Sequence, residues 1–181
     1  MPNTTLIIGG CRSGKSRHAL LLGEKNAGRR NLFVATAQAH DAEMKTRIEL
    51  HKQDRGERWQ TVEAPLEIVD AIRRQGPGTD IMLIDCLTLW TSNLMMVHKD
   101  DDEAVVAEME RLRQVILVPP CPIILVTNEV GAGIVPENPL ARRYRDLAGW
   151  CNQKIANACT TVIWMVAGIP ATIKPGPDAS C

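Results

Sequence analysis

Short apolar runs alternate along the chain with longer segments in which apolar positions recur every three or four residues. Thr4–Ile8 predicts a strand, and a glycine-rich turn then leads into a helix over about Lys15–Lys25, stopped near Gly28. Asn31–Thr36 (NLFVAT) predicts a second strand. In the stretch after it, Asp41 suits an N-cap, Glu43 suits a first turn, and Met44, Ile48 and His51 share one semi-apolar helix face. Trp59–Glu63 reads as a short strand. Pro65 suits the first position of a helix reaching about Arg74, closed by Gly76-Pro77-Gly78. Asp80–Ile84 (DIMLI) and Pro122–Thr127 (PIILVT) are continuous apolar runs between turn signals, as expected of strands buried on both faces. Between them lie the apolar segment Leu87–Val97 and a helix over Glu103–Leu117, capped by Asp100-Asp101-Asp102 and ended by Pro119-Pro120. A glycine- and proline-rich loop, Gly131–Pro139, precedes a long helix to about Cys159, and strands are predicted at Thr161–Val166 and Ala171–Lys174.

Strand–helix alternation of this kind implies an α/β fold with a mostly parallel sheet and helices on both faces. No repeat, low-complexity tract or linker divides the chain, so residues 1–181 read as one domain with a loose tail over 175–181. In such sheets ligands bind beyond the carboxyl ends of the strands.

Composition narrows the function. The 21 basic and 21 acidic side chains cancel, so no global field attracts nucleic acid or an anionic membrane, and a charged substrate needs a local site. No apolar run approaches the length of a membrane span, and Met1–Thr5 lacks the basic start of a secretory signal. The six cysteines show no Cys-x-x-Cys spacing, which argues against a metal cluster and for a reducing, cytoplasmic setting.

The strongest chemical signal lies in the first turn. Gly9-Gly10-Cys11-Arg12-Ser13-Gly14-Lys15-Ser16 fits G-x-x-x-x-G-K-[ST] between a predicted strand and a predicted helix. Glycines let backbone N–H groups wrap an oxyanion, and the helix N-terminus adds its positive end. Lys15 would reach the β- and γ-phosphates and the Ser16 hydroxyl would ligate Mg²⁺. Asp85, after DIMLI, stands where a second Mg²⁺-holding group is needed, directly or through water; a strand-end Asp also suits a turn. Arg12 and Arg17 could neutralise phosphate or pair with surface acids, and His18 reads as structural or solvated.

Several stretches together resemble one family: GGCRSGKS at 9–16, the block 34–65 containing R-I-x-x-H-K, LIDCLTLWTSNL at 83–94, N-E-V-G-x-G-I-V-P-E within 126–156, and GIPATIK at 168–174. The chain resembles the bifunctional adenosylcobinamide kinase/adenosylcobinamide-phosphate guanylyltransferases of cobalamin biosynthesis. The resemblance implies a RecA-like P-loop fold, a homotrimer, and one nucleotide site serving two reactions. ATP or GTP phosphorylates adenosylcobinamide, and GMP then passes from GTP to adenosylcobinamide phosphate, giving adenosylcobinamide-GDP. It makes His51 the residue that carries GMP covalently. It places Ala35, Thr36, Ala37, Lys52, Gln53, Asp54, Arg55 and Glu63 at the nucleotide, with Glu63 suited to accept from the guanine N–H groups. Lys52 and Arg55 suit a helix end equally well. Arg142, Arg143, Arg145 and Asp146 could bind the cobinamide phosphate, bridge subunits, or form a solvated face. Cys11, itself small, stands where the family usually has Ala or a similar small residue. Two other readings compete: a P-loop small-molecule kinase in which His51 is a bystander, and a nucleotide-dependent binding module.

Overall fold

The computed structural model describes residues 2–38 and 58–176. In chain order the elements are β1 (Thr4–Gly9), α1 (Lys15–Lys25), β2 (Asn31–Ala35), β3 (Trp59–Glu63), α2 (Ile68–Gln75), β4 (Ile81–Asp85), α3 (Leu87–His98), α4 (Asp102–Leu117), β5 (Ile123–Asn128), α5 (Pro139–Ala158), β6 (Thr161–Val166) and β7 (Ile169–Lys174). The strands form one sheet in the order β3-β2-β4-β5-β1-β6-β7. Every pairing is parallel except that of β7, which returns antiparallel along β6.

The continuous apolar runs make sense in this frame, because the central strands are covered on both faces. Along β5, Ile123 and Leu125 enter the core beneath α2, α3, α4 and α5, while Ile124 and Val126 enter the core beneath α1. Leu6 and Ile7 divide the same way on β1. Parallel strands feed their carboxyl ends to one edge, and register fixes what meets there: Gly9 lies beside Asn128, and Ala35 lies between Glu63 and Asp85.

Local signals set the element ends. Asp101 caps α4 by accepting from the Ala104 N–H at 2.9 Å, so that helix begins at Asp102, one residue before the expected start. Asn138 caps α5, accepting from Leu140 and Ala141, and Pro139 takes the first helical position. β7 starts two residues earlier than the sequence predicts, because Ala167 (φ 50°) and Gly168 (φ 83°) form a two-residue turn with both residues left-handed.

One expectation fails. Pro65 does not begin a helix; α2 starts at Ile68. The Pro65 carbonyl accepts from the Asn93 side chain at 2.9 Å, and the Leu66 carbonyl accepts from the Trp90 indole at 2.8 Å. Residues of α3 thus take the carbonyls that an earlier helix start would have used. Trp90 is fully buried, whereas Trp150 and Trp164 are about half exposed.

Candidate nucleotide site

The loop between β1 and α1 wraps a cavity at the carboxyl edge of the sheet. Gly9 must be glycine on steric grounds, since a Cβ there would lie 2.5 Å from the Met165 carbonyl and 2.8 Å from Ser13 Oγ. Gly14 sits at the N-cap of α1 with φ 91°, a left-handed conformation that favours glycine. The loop closes through the Ser13 N–H donating to Gly10 O at 3.3 Å. The β6–β7 turn braces it from outside, the Gly168 N–H donating to Ser13 O at 3.1 Å.

Lys15 is drawn into this loop. Its ammonium donates to Gly10 O at 2.6 Å and approaches Ser13 Oγ at 3.4 Å, and only 7% of the residue is exposed. Burial lowers the Lys15 pKa from its ordinary value, and the Asp85 carboxylate partly opposes that shift. A cation in a shell of backbone dipoles, short of full compensation, is ready to accept an anionic ligand.

The cavity has a volume of about 360 Å³. Residues 11–17 line one side, with Asp85, Cys86, Val126 and Asn128 from the ends of β4 and β5 on the other. Sequence-predicted Cys11, Arg12, Ser13, Gly14, Lys15, Ser16 and Asp85 are therefore brought together around it, and Gly9 and Gly10 form the loop's base. Cys11 and Arg12 are exposed at its rim. Arg17 also lines the cavity.

Ala35, Thr36, Ala37 and Glu63 lie on the same sheet edge but outside the cavity lining. Thr36 is fully buried and spends its hydroxyl on structure: Oγ1 donates to Cys86 O and accepts from the Cys86 N–H, both at 2.8 Å. Asn93 donates to the Thr36 carbonyl at 2.9 Å. Thr36 therefore ties β2 to β4 beside Asp85 and shapes the site from behind. Glu63 is exposed at the end of β3. His51, Lys52, Gln53, Asp54 and Arg55 lie outside the described residues.

Other sequence-singled residues resolve differently. His18 is half-buried, and burial, with Lys25 nearby, lowers its pKa. Arg143 pairs with Asp102 at 2.6 Å and Asp100 at 3.6 Å. Arg145 donates to Gly131 O, and Arg142 to the carbonyls of Pro136 and Glu137, so both fasten the Gly131–Asn138 loop. Sequence reading missed Cys86 as a wall of the site, because a cysteine after an apolar strand reads as core filler; its position directly after Asp85 was the available signal.

Ser16 and Asp85, hard oxygen donors lining one cavity with Lys15, fit a Mg²⁺ ion bound together with phosphate. Among the described residues no group of three or more His, Cys, Asp or Glu could form an all-protein metal site.

A parallel sheet with a lysine-bearing glycine loop between its first strand and helix defines a P-loop nucleotide-binding protein. Solved structures similar in fold include the RadB recombinase (TM-score 0.53, 15% identity, covering 90% of this chain and 73% of that one). The P4 protein of bacteriophage phi6 in complex with ADP is another (TM-score 0.50, 15% identity, covering 97% of this chain and 56% of that one). These likenesses establish the RecA-like fold.

The family model "Cobinamide kinase / cobinamide phosphate guanyltransferase" matches residues 5–173, and the chain belongs to that family. It is accordingly an enzyme of cobalamin biosynthesis that unites a kinase and a nucleotidyltransferase. A bifunctional adenosylcobalamin biosynthesis protein of Pseudomonas aeruginosa is 44% identical over 172 residues, covering 95% of this chain and 98% of the relative. Its counterpart from Escherichia coli K12 is 41% identical over 181 residues, covering 93% and 98%.

Proposed function

We propose that this chain phosphorylates adenosylcobinamide with ATP or GTP and then transfers GMP from GTP, through a covalent GMP–His51 intermediate, to adenosylcobinamide phosphate, yielding adenosylcobinamide-GDP. The observation that carries this reading is the buried Lys15 cradle facing Asp85 in a chain whose residues 5–173 match the cobinamide family. The loop amides and Lys15 bind the triphosphate and stabilise charge that develops on its oxygens. Ser16 and Asp85 would hold Mg²⁺, which supplies charge neutralisation on the phosphates when bound.

In the kinase step the substrate alcohol oxygen bonds to the γ-phosphorus as the bond to the leaving diphosphate breaks. In the second reaction a neutral imidazole nitrogen of His51 bonds to the α-phosphorus as pyrophosphate leaves, and a phosphate oxygen of the acceptor later displaces the imidazole. Splitting the transfer this way asks one histidine and one cradle to serve both steps. Family membership also supports a homotrimer, to be checked by sedimentation equilibrium. Among the described residues no helix is long and apolar enough to cross a membrane.

The test is incubation with α-phosphate-labelled GTP and Mg²⁺, followed by a denaturing gel. Label that is acid-labile, base-stable and lost in His51→Ala is expected. Label persisting in that variant, or absent from the wild type, would count against the guanylyl step. Lys15→Ala is expected to depress both reactions by at least about tenfold, as removal of a group that contacts transferring phosphate does; either reaction at its wild-type rate would contradict a shared cradle.

A further inference from the structure

Asn128, the last residue of β5, is supported on several sides, yet part of its amide is unspent. Its backbone N–H and its Nδ2 both donate to Thr88 Oγ1, at 3.3 and 2.9 Å. Its carbonyl accepts from Asn152 Nδ2 at 3.1 Å, and Asn152 is itself fixed by Thr127 Oγ1 donating to its Oδ1 at 2.7 Å. Thr88 is buried and accepts twice from Asn128, so its own hydrogen is directed to Cys86 Sγ at 3.1 Å. Asn128 Oδ1 accepts no hydrogen bond among the described residues, and the side chain lines the phosphate cavity.

Position adds to this. Asn128 pairs in register with Gly9, the first glycine of the loop, and faces the cavity alongside Lys15 and Asp85. That places the amide in the same cavity as the ammonium expected to meet the terminal phosphates. Fully connected polar networks rigidify what they hold, and here the rigid element ends in one unspent acceptor. The anionic phosphates cannot donate to Oδ1. A hydroxyl attacking the terminal phosphorus can.

We propose that Asn128 contacts the attacking hydroxyl in the kinase step, its Oδ1 accepting from the substrate O–H and aiming the oxygen at the γ-phosphorus, with Thr88 and Asn152 as positioning residues behind it. An amide is no base near neutrality, so the hydroxyl proton passes to an oxygen of the transferred phosphoryl group. The acceptor oxygen bonds to phosphorus, and the bond to the leaving nucleoside diphosphate breaks with its electron pair. This inference deepens the proposed kinase activity and rests on it.

The experiment measures phosphoryl transfer to adenosylcobinamide, nucleotide affinity and melting temperature for the wild type, Asn128→Ala, Thr88→Ala and Thr88→Ser. Wild-type turnover comes first, since its absence would refute the kinase reading itself. Given turnover, Asn128→Ala is expected to lower kcat about 100-fold, the cost of misplacing a reacting oxygen, with nucleotide Kd changed less than about threefold. Thr88→Ala should lower kcat about tenfold and Thr88→Ser should restore it, because only the hydroxyl aims the amide. Slow hydrolysis of the γ-phosphate without acceptor should fall in parallel, water replacing the alcohol. Wild-type kcat in Asn128→Ala, or equal losses in kcat and nucleotide affinity, would overturn the assignment. If Asn128→Ala does not fold, failure of Thr88→Ser to recover what Thr88→Ala loses would overturn it.

Discussion

At the scale of single residues, the phosphate loop was legible because its chemistry depends on order and spacing alone. Glycine, lysine and serine at fixed intervals can be read without coordinates, and Lys15 lies where that spacing puts it. Thr36 shows the opposite case. The family resemblance implies a nucleotide contact at Thr36, and only the packing of β2 against β4 reveals in addition that Cys86 occupies its hydroxyl on both sides. Two predictions belong here. Burial raises the thiol pKa of Cys86 and Cys121 to about 11 and of Cys151 and Cys159 to about 12, while Cys11 stands exposed at the cavity rim. In a Cys181→Ser background a thiol reagent near pH 8 should therefore modify one group rapidly, and Mg–GTP should protect it. A second fast group, or no protection, would contradict the placement of Cys11. For Lys15, the lowered pKa means that its ammonium discharges earlier than an ordinary lysine as pH rises. Triphosphate affinity should thus decline with pH below the usual lysine range, and Lys15→Arg, which stays charged, should flatten that decline; coincident profiles would refute it. The free protein should move the opposite way, gaining stability with rising pH between the lowered folded value and the ordinary unfolded one.

At the scale of elements, caps and turns carried the information. Asp101 and the Gly76-Pro77-Gly78 stop each act within a few residues, so the sequence displays them directly, whereas Pro139, read as the end of a loop, takes the first position of α5 behind the Asn138 cap. The start of α2 is not legible locally because its determinant is distant: Asn93 and Trp90, on α3, claim the carbonyls of Pro65 and Leu66. Proline at a first helical position is a local preference of modest size, and two tertiary hydrogen bonds to buried side chains outweigh it. The β6–β7 connection shows the same limit, since Ala167 rather than Asn or Gly takes the first left-handed position of the turn. The cap of α4 gives a clean check. Asp101→Ala removes the acceptor for the Ala104 N–H and should cost about 1 kcal/mol, read as a lower urea midpoint with an unchanged slope. An unaltered midpoint would mean that Asp100 or Asp102 substitutes as the cap.

For the whole molecule, what sequence could not reveal was strand order. Runs of similar apolar residues announce strands buried on both faces, but nothing in Ile81–Asp85 or Ile123–Asn128 states which strand neighbours β1. Order is set by how the two cores fill, and it is order that turns separate motifs into a site. β5 lies between β4 and β1, so Asp85, Asn128 and Lys15 converge on one cavity although 113 positions separate the last two. The described cavity is therefore a property of the folded sheet, and a ligand that fills it binds the folded chain alone. Mg–GTP at about 100 times its Kd should add about 2.7 kcal/mol of stability, or roughly 5–10 °C in Tm for a chain of this size. Lys15→Ala should abolish most of that shift. The same substitution should leave the free protein's Tm unchanged or slightly higher, because it removes a desolvated charge whose hydrogen bonds to Gly10 O and Ser13 Oγ only partly offset burial. A free-protein Tm lower by several degrees would show that Lys15 holds the loop together structurally, in which case the cradle's charge is not held in reserve for phosphate.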